Sequence, residues 1–102
     1  MLNNDGYTIE RKIHGLHATY NDVHPWKYTE LLNLFNADPQ KSRTYQVRTK
    51  SEMETLLQDK ELASGKMLEL VEVFMPQLDA PRALEATAQT TARLNRVLNL
   101  RT

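Results

Sequence analysis

The residues of this chain that could do chemistry lie close together near its start. Residues 3–10, called here the 3–10 segment, read Asn-Asn-Asp-Gly-Tyr-Thr-Ile-Glu. Side-chain amide oxygens and a backbone carbonyl at Gly6 are hard oxygen donors of the kind that Mg²⁺ accepts. Asn, Asp and Gly are also the usual residues of tight turns, where glycine can take a positive φ angle. From the residues alone, a purely structural turn between a strand end and a helix therefore stays open beside the magnesium site.

Other candidate groups give weaker signals. His14 and His17 are three residues apart and His24 follows, but no carboxylate at a matching spacing accompanies them, so surface or capping histidines are favoured over a zinc site. We found no nucleophile elbow, P-loop or dinucleotide-binding fingerprint. Three aromatic residues are predicted to be core and subunit-contact residues, and three arginines a solvated face of the last helix. They are Trp26, Tyr28 and Phe35, and Arg93, Arg96 and Arg101.

The elements that must position the 3–10 segment follow from the pattern of apolar and turn residues. The segment itself predicts a strand end, a turn and then a short helix over residues 8–14 that Gly15 stops. A second helix is predicted over residues 25–35, with Pro25 in its first turn and Trp26, Leu31, Leu32 and Phe35 on its buried side. A short strand is predicted over residues 44–48.

The second half of the sequence predicts a helix, a strand and a helix. Ser51 and Glu54 have the spacing of a capping box, which would open a helix that reaches about residue 59. Residues 66–75 form the best strand candidate, apolar on both parities as in a parallel sheet covered by helices. Asp79 and Pro81 are predicted to open the last helix. Its predicted core stripe consists of Leu84, Ala88, Thr91, Leu94 and Leu98.

Strands that alternate with helices indicate an α/β fold with a parallel sheet. Only about three strands are visible and the first is cut short, so the chain is expected to be part of a doubly wound domain; the family resemblance given below implies the distal half of that domain. The 102 residues fit a single domain, here 1–102. Thirteen basic residues balance thirteen acidic ones, which disfavours a nucleic-acid platform. There is no cysteine, no secretory signal and no apolar run long enough for a membrane span, so a soluble cytoplasmic chain is expected.

A family resemblance rests on the 3–10 segment together with Ile13-His14-Gly15. These residues resemble the end of the thiamine-diphosphate motif in the pyruvate decarboxylase family of 2-oxo acid decarboxylases, a motif that begins with Gly-Asp-Gly and closes with Asn-Asn. The likeness continues nearly to the end of the chain and is strongest to fungal members. It runs through residues 18–22, Trp26, and residues 58–60, 75–76 and 79–81.

The resemblance implies roles for individual residues. The side-chain oxygen of Asn4 and the backbone carbonyl of Gly6 match the family's ligands to Mg²⁺. Thr8 and Ile9 are expected to contact the thiamine diphosphate, with Ile9 also walling the substrate pocket. Glu10 matches the family's catalytic glutamate, which lies beside the thiazolium ring and the substrate carboxylate; in a closed site of low dielectric such a carboxyl group can handle protons near neutrality.

The sequence also departs from the family pattern. It lacks the Gly-Asp-Gly triplet with its metal-binding Asp, the glutamate that activates the aminopyrimidine, and the acidic residue and histidines of the first domain. The expectation is therefore a C-terminal fragment of a decarboxylase that turns pyruvate into acetaldehyde and CO₂, inactive by itself. The parent is expected to be a homo-oligomer, a dimer or a tetramer, that acts on a small 2-oxo acid. The alternatives are a short non-catalytic binding or subunit-docking module, and a fragment of an indolepyruvate or phenylpyruvate decarboxylase.

Overall fold

The computed structural model describes residues 1–100, which form two compact units. The first unit comprises Met1–Asn3 and Pro25–Met75 and contains every strand of the sheet. The second comprises Asn4–His24 and the chain from Pro76 onward and is helical. None of the helices in residues 1–100 has the length and apolar character that crossing a membrane requires.

A three-stranded parallel sheet forms the centre of the first unit. Its strands are β1 (Leu2–Asn3), β2 (Ser42–Val47) and β3 (Leu68–Phe74), in the order β1-β3-β2. Val73 of β3 lies opposite Leu2 on one side and Val47 on the other, so the apolar β3 is the central strand. The prediction of an α/β fold with parallel strands is confirmed, and a small parallel sheet of this kind agrees with part of a thiamine-diphosphate-binding domain.

The helices after β2 begin and end at identifiable caps. Helix α3 (Lys50–Leu57) starts with a capping box in which Thr49 Oγ1 accepts from the Glu52 N–H at 3.2 Å and Glu52 accepts from the Thr49 N–H at 3.1 Å. The predicted box at Ser51 is wrong by two positions, because the helix begins as soon as the chain leaves β2. The predicted helix to residue 59 is broken in two, since Asp59 caps a separate helix α4 (Lys60–Ser64).

The predicted helix over residues 25–35 is wrong for most of its length. The Tyr28 N–H bonds to the Trp26 carbonyl at 3.0 Å, a turn tighter than an α-helix allows, and a 3-10 turn (Tyr28–Glu30) leads into a short α2 (Leu31–Leu34). A helix this short is marginal without extensive packing. Trp26 is 64% and Phe35 77% exposed, so neither is a core residue of the described chain, whereas Leu31 and Leu32 are half-buried.

The second unit pairs a short helix with a long one. Helix α1 (Thr8–His14) has its predicted bounds, and the Gly15 N–H closes it by bonding to the Arg11 carbonyl at 2.9 Å. A 3-10 turn (Thr19–Asn21) follows in the loop. The long helix is α5 (Arg82–Leu100). The Glu85 N–H bonds to the Pro81 carbonyl at 3.1 Å, so Pro81 lies just before the helix and does not occupy its first turn.

The predicted stripe of α5 is buried over only part of its length. Ala88 is fully buried and Leu84 and Thr91 are half-buried, but Leu94 and Leu98 are exposed. The reason is length: at 1.5 Å per residue, the seven residues of α1 cover less than half of the nineteen residues of α5. Arg93 and Arg96 are exposed as predicted, and Arg101 lies outside the described residues.

Candidate functional site

The turn of the 3–10 segment has an unusual backbone. Asp5 has φ 59° and Gly6 has φ 147°. A residue other than glycine in the left-handed region costs of the order of 1–3 kcal/mol and persists only where its surroundings hold it. A Cβ atom at Gly6 would overlap the Asn21 carbonyl oxygen and the Arg11 guanidinium. The turn therefore needs glycine at position 6 for its conformation and for the close approach of two neighbours.

A single antiparallel bridge fixes the direction of the Gly6 carbonyl. Gly6 pairs with Asp22, and the two hydrogen bonds of the bridge come from the Tyr7 N–H to the Asn21 carbonyl (3.0 Å) and from the Val23 N–H to the Asp5 carbonyl (3.4 Å). These bonds flank Gly6 and do not use its own groups. In a trans peptide the N–H and C=O point in opposite directions, and the described chain has no cis peptide. Because the Tyr7 N–H faces Asn21, the Gly6 carbonyl points away from that segment.

The Asn4 side chain is oriented by its neighbours in the same unit. Its Nδ2 donates to Thr8 Oγ1 at 2.9 Å, and Thr8 Oγ1 donates to the Gln77 carbonyl at 2.8 Å. Because Nδ2 points to Thr8, the other end of the Asn4 amide, Oδ1, points away from Thr8. The predicted ligands Asn4 and Gly6 therefore each offer an oriented oxygen, and the Thr8 hydroxyl serves this orientation within the chain.

Arg11 is the charged residue that holds the turn together. Its side chain is 2% exposed, and its Nη2 donates to the Asp5 carbonyl (3.2 Å), the Asn21 carbonyl (3.1 Å) and Asp22 Oδ1 (2.5 Å). A buried charge is tolerated only when it is paired and hydrogen-bonded. Arg11 Nε and Asn21 Nδ2 are buried without a partner within the described chain. The three Nη2 contacts therefore dictate where this side chain lies.

Sequence reasoning missed Arg11. A cation on a helix of seven residues is normally a solvated charge, and the apolar spacing of Ile9 and Ile13 gave no reason to place its neighbour inside. The available signal was Asp22, a carboxylate eleven residues farther on that lies among the residues of the family likeness.

The structure places Glu10 and Ile9 on an open surface. Glu10 is exposed and Ile9 is half-buried. A groove of about 640 Å³ runs between α1 and α5, but its lining includes Lys12, Glu85 and Arg96 and none of the predicted site residues. The closed surroundings expected for Glu10 are therefore not formed by the described residues themselves.

The donor set fits part of a magnesium site. Mg²⁺ takes six oxygens in an octahedral arrangement, and two neutral donors suit an ion whose other ligands carry the negative charge, as a diphosphate does. Within residues 1–100, no three His, Cys, Asp or Glu side chains are grouped so that they could hold a metal, and His14, His17 and His24 are exposed. Asn4 and Gly6 can thus contribute to a shared site and cannot complete one.

Most of the chain is similar in sequence to curated fungal proteins. No protein-family model matches the chain. Pyruvate decarboxylase of Aspergillus parasiticus is 51% identical over 87 residues, which are 82% of this chain and 15% of the relative. Pyruvate decarboxylase of Candida albicans is 44% identical over 95 residues, and isozyme 2 of Saccharomyces cerevisiae 43% over 95; each match covers 93% of this chain and 16% of the relative. The chain thus spans about one-sixth of the length of these relatives, and over that part its sequence is similar to those of pyruvate decarboxylases.

Proposed function

We propose that residues 1–102 supply the C-terminal part of the thiamine-diphosphate-binding domain of a decarboxylase that converts pyruvate to acetaldehyde and CO₂. The observation that carries the proposal is the turn of the 3–10 segment. There the Gly6 carbonyl and the Asn4 amide oxygen are oriented as neutral donors, in a chain closely similar to pyruvate decarboxylases. The 102 residues are inactive by themselves, because they offer two metal ligands and an open surface.

The residues of the turn would hold the cofactor through its metal. Asn4 Oδ1 and the Gly6 carbonyl oxygen would bind Mg²⁺, and the metal in turn would anchor the diphosphate. Thiamine diphosphate, when bound, supplies the electron sink that decarboxylation requires. Thr8 keeps the Asn4 amide in place through its hydroxyl, and the half-buried Ile9 presents an apolar side chain beside the catalytic glutamate.

Glu10 would manage the proton of the reaction. Conversion of pyruvate to acetaldehyde and CO₂ consumes one proton, which must reach the carbon that loses the carboxylate. The Glu10 side chain is exposed in the first turn of α1, four residues after Gly6, and has no ion pair among the described residues. A positioned carboxyl group of this kind contributes about 10²- to 10⁴-fold to the rate.

The open surface around Glu10 implies a second wall. A closed site would exclude water and strengthen the electrostatic interactions inside it. We therefore propose that the rest of the parent chain and a second subunit cover this surface, in a dimer or a tetramer located in the cytoplasm.

A second candidate function is a non-catalytic docking module. The observation that favours it is the distal half of α5, where Leu94, Val97 and Leu98 are all exposed on one side of the helix. Such a face is suited to binding another protein surface. This reading predicts a stable product of the same mass as the chain, 11.8 kDa, without activity.

The native product in the source cells separates the two functions. An antibody raised against residues 67–100 would isolate it, and its intact mass and its rate of acetaldehyde formation from pyruvate, with Mg²⁺ and thiamine diphosphate, would be measured. The proposal expects a much longer chain that is active. An inactive species near 11.8 kDa would overturn it in favour of the docking module. Faster turnover of phenylpyruvate or indolepyruvate than of pyruvate would instead assign the chain to a decarboxylase of aromatic 2-oxo acids.

A further inference from the structure

Arg11 follows the proposed catalytic glutamate in sequence but lies on a different side of the helix. Successive residues of an α-helix differ by about 100° in direction, so an exposed Glu10 is followed by an Arg11 that is buried against the turn. The two residues therefore have different tasks. Glu10 faces the surface where substrate would lie, and Arg11 faces the backbone from which the metal ligands project.

The contacts of Arg11 are made with the two backbone segments that meet around Gly6. The Asp5 carbonyl, 3.2 Å from Nη2, belongs to the peptide that leads into Gly6. The Asn21 carbonyl, 3.1 Å from Nη2, also accepts from the Tyr7 N–H, which belongs to the peptide that leaves Gly6. Arg11 thus binds oxygens that fix the planes of both peptides of Gly6, and the Gly6 carbonyl has one direction as a result.

The charge of Arg11 is balanced locally. Asp22 Oδ1 accepts from the same Nη2 atom, and Asp22 is the bridge partner of Gly6. A bare cation at this place would repel Mg²⁺ at the neighbouring carbonyl, whereas a guanidinium paired with a carboxylate adds no net charge. The pair can therefore hold the turn without opposing the metal.

We infer that Arg11 is a positioning residue of the magnesium and diphosphate site: it holds the Asp5–Gly6 turn so that the Gly6 carbonyl faces the metal. This inference rests on the proposed function, because it needs the metal to bind at Gly6. Arg11 itself touches neither metal nor substrate. Its removal should leave helix α1 in place, let the turn relax from its positive φ angles, and weaken the binding of the metal.

The test uses the native product that carries these residues, stripped of metal and cofactor and then titrated with Mg²⁺ and thiamine diphosphate. Binding is followed by protein fluorescence and by the amount of metal retained after dialysis. Arg11→Met should weaken the apparent affinity about tenfold or more, as expected for the loss of charge-assisted hydrogen bonds. It should also speed hydrogen exchange of the Tyr7 and Val23 amides, which form the bridge, while the amides of α5 keep their protection.

Lys12→Met is the matched control. It removes the same charge from the next residue of the same helix, but Lys12 is paired with Glu85 of α5 at 2.6 Å and does not contact the turn. Its apparent affinity for Mg²⁺ and thiamine diphosphate should equal that of the unmodified chain. If Arg11→Met does not fold, Arg11→Lys is used in its place. It keeps the positive charge but loses the forked set of N–H donors, so a several-fold loss of apparent affinity is expected.

The outcomes separate this inference from the proposed function. Failure of the unmodified native product to retain Mg²⁺ with thiamine diphosphate would contradict a metal site at the turn and would overturn both. Binding that is equally strong in the unmodified protein and in a folded Arg11→Met or Arg11→Lys variant would overturn the role of Arg11 alone. An equal loss of affinity in Lys12→Met would assign the effect to the removal of a positive charge, and it would also overturn the role of Arg11.

Discussion

Within residues 1–100, each of the two units buries one charged side chain, and the two side chains have different roles. In the first unit Glu72, 3% exposed on the central strand, accepts from Asn3 Nδ2 at 2.9 Å and from Gln46 Nε2 at 3.0 Å. Both donors lie on the strands that flank it, which are already aligned by parallel pairing. In the second unit Arg11 donates to main-chain carbonyls of a turn that has a single bridge.

The comparison distinguishes a buried charge that adds stability from one that fixes the backbone geometry. The carboxylate of Glu72 links side chains of elements that the backbone ladder has placed, so it adds stability to a geometry that exists without it. The guanidinium of Arg11 lies beside a turn that is held by one bridge and not by a ladder of strand hydrogen bonds. Its contacts therefore determine the geometry of that turn. Buried apolar side chains are few in both units: within the described chain only Val47 and Ala88 are buried. Polar contacts therefore determine more of the folded structure here than they do in a domain with a large apolar core.

The largest effect should come from the glycine of the turn. Gly6→Ala forces a side chain into a left-handed backbone and onto the Asn21 carbonyl, so we expect the second unit to lose at least about 2 kcal/mol of its free energy of unfolding. Gly65→Ala in the first unit is the matched control: its φ is 61° but its Cβ would meet no atom within 4 Å, so about 1 kcal/mol is expected. Urea unfolding followed by NMR at amides of each unit measures both, and equal losses would contradict the role of close approach.

Removal of the Glu72 charge should have the next largest effect. In Glu72→Gln one carboxylate oxygen becomes an amide nitrogen, which faces the amide donor of Asn3 or of Gln46 across a buried contact. We expect a loss of about 2 kcal/mol in the free energy of unfolding of the first unit, with the Gly6–Thr8 amide shifts unchanged. Glu69→Gln is the control on the same strand, since Glu69 makes only a long contact of 3.4 Å with the Tyr45 hydroxyl. If Glu69→Gln lowered stability as much, the importance of the buried pair would be refuted.

The smallest expected effect concerns acid and salt. Hydrogen bonding to Lys12, and then its charge, lower the pKa of Glu85 in the second unit, whereas the backbone N–H groups of Arg48 and Thr49 lower the pKa of Glu52 in the first. A carboxyl group whose folded pKa is depressed stabilises the fold above its unfolded pKa, near 4.5, and this contribution is lost as the pH falls through the folded value.

Salt distinguishes the two glutamates. A partly exposed ion pair such as Lys12–Glu85 is screened by salt, while a cap that accepts from fixed backbone donors is screened less. We therefore expect 0.5 M salt to raise the pKa of Glu85 toward its ordinary value and to leave that of Glu52 nearly unchanged, as measured by NMR of the carboxyl carbons. A larger change at Glu52 than at Glu85 would show that the assigned causes are wrong.

Elements whose residues follow a regular pattern could be predicted from the sequence. Elements whose position depends on a single contact could not. The bounds of α1, the apolar strand β3 and the parallel sheet follow from Gly15, from the Val and Leu of β3 and from the alternation of elements. The capping box was placed at Ser51 because spacing alone cannot tell which of two hydroxyl residues, Thr49 or Ser51, stands at the strand end. Trp26 and Phe35 were placed in the core because an apolar residue does not reveal whether any surface is there to cover it.

The same distinction applies to the candidate site. The 3–10 segment predicted its own turn, and the resemblance it carries supplied the expected roles of Asn4, Gly6 and Glu10. Those roles remain predictions. The direction of the Gly6 carbonyl could not be predicted, since it depends on Asn21 and Arg11, which local turn rules do not connect to it.

The most direct test of the central claim is the rate of acetaldehyde formation by the native product that carries these residues, compared with its Glu10→Gln variant. Glu30→Gln, an exposed glutamate of the first unit, is the control and should keep the full rate. We expect Glu10→Gln to lower kcat by at least about 100-fold, with binding of Mg²⁺ and thiamine diphosphate retained. A variant that forms acetaldehyde as fast as the unmodified protein would contradict the assignment of Glu10, and with it the decarboxylase site proposed for this segment.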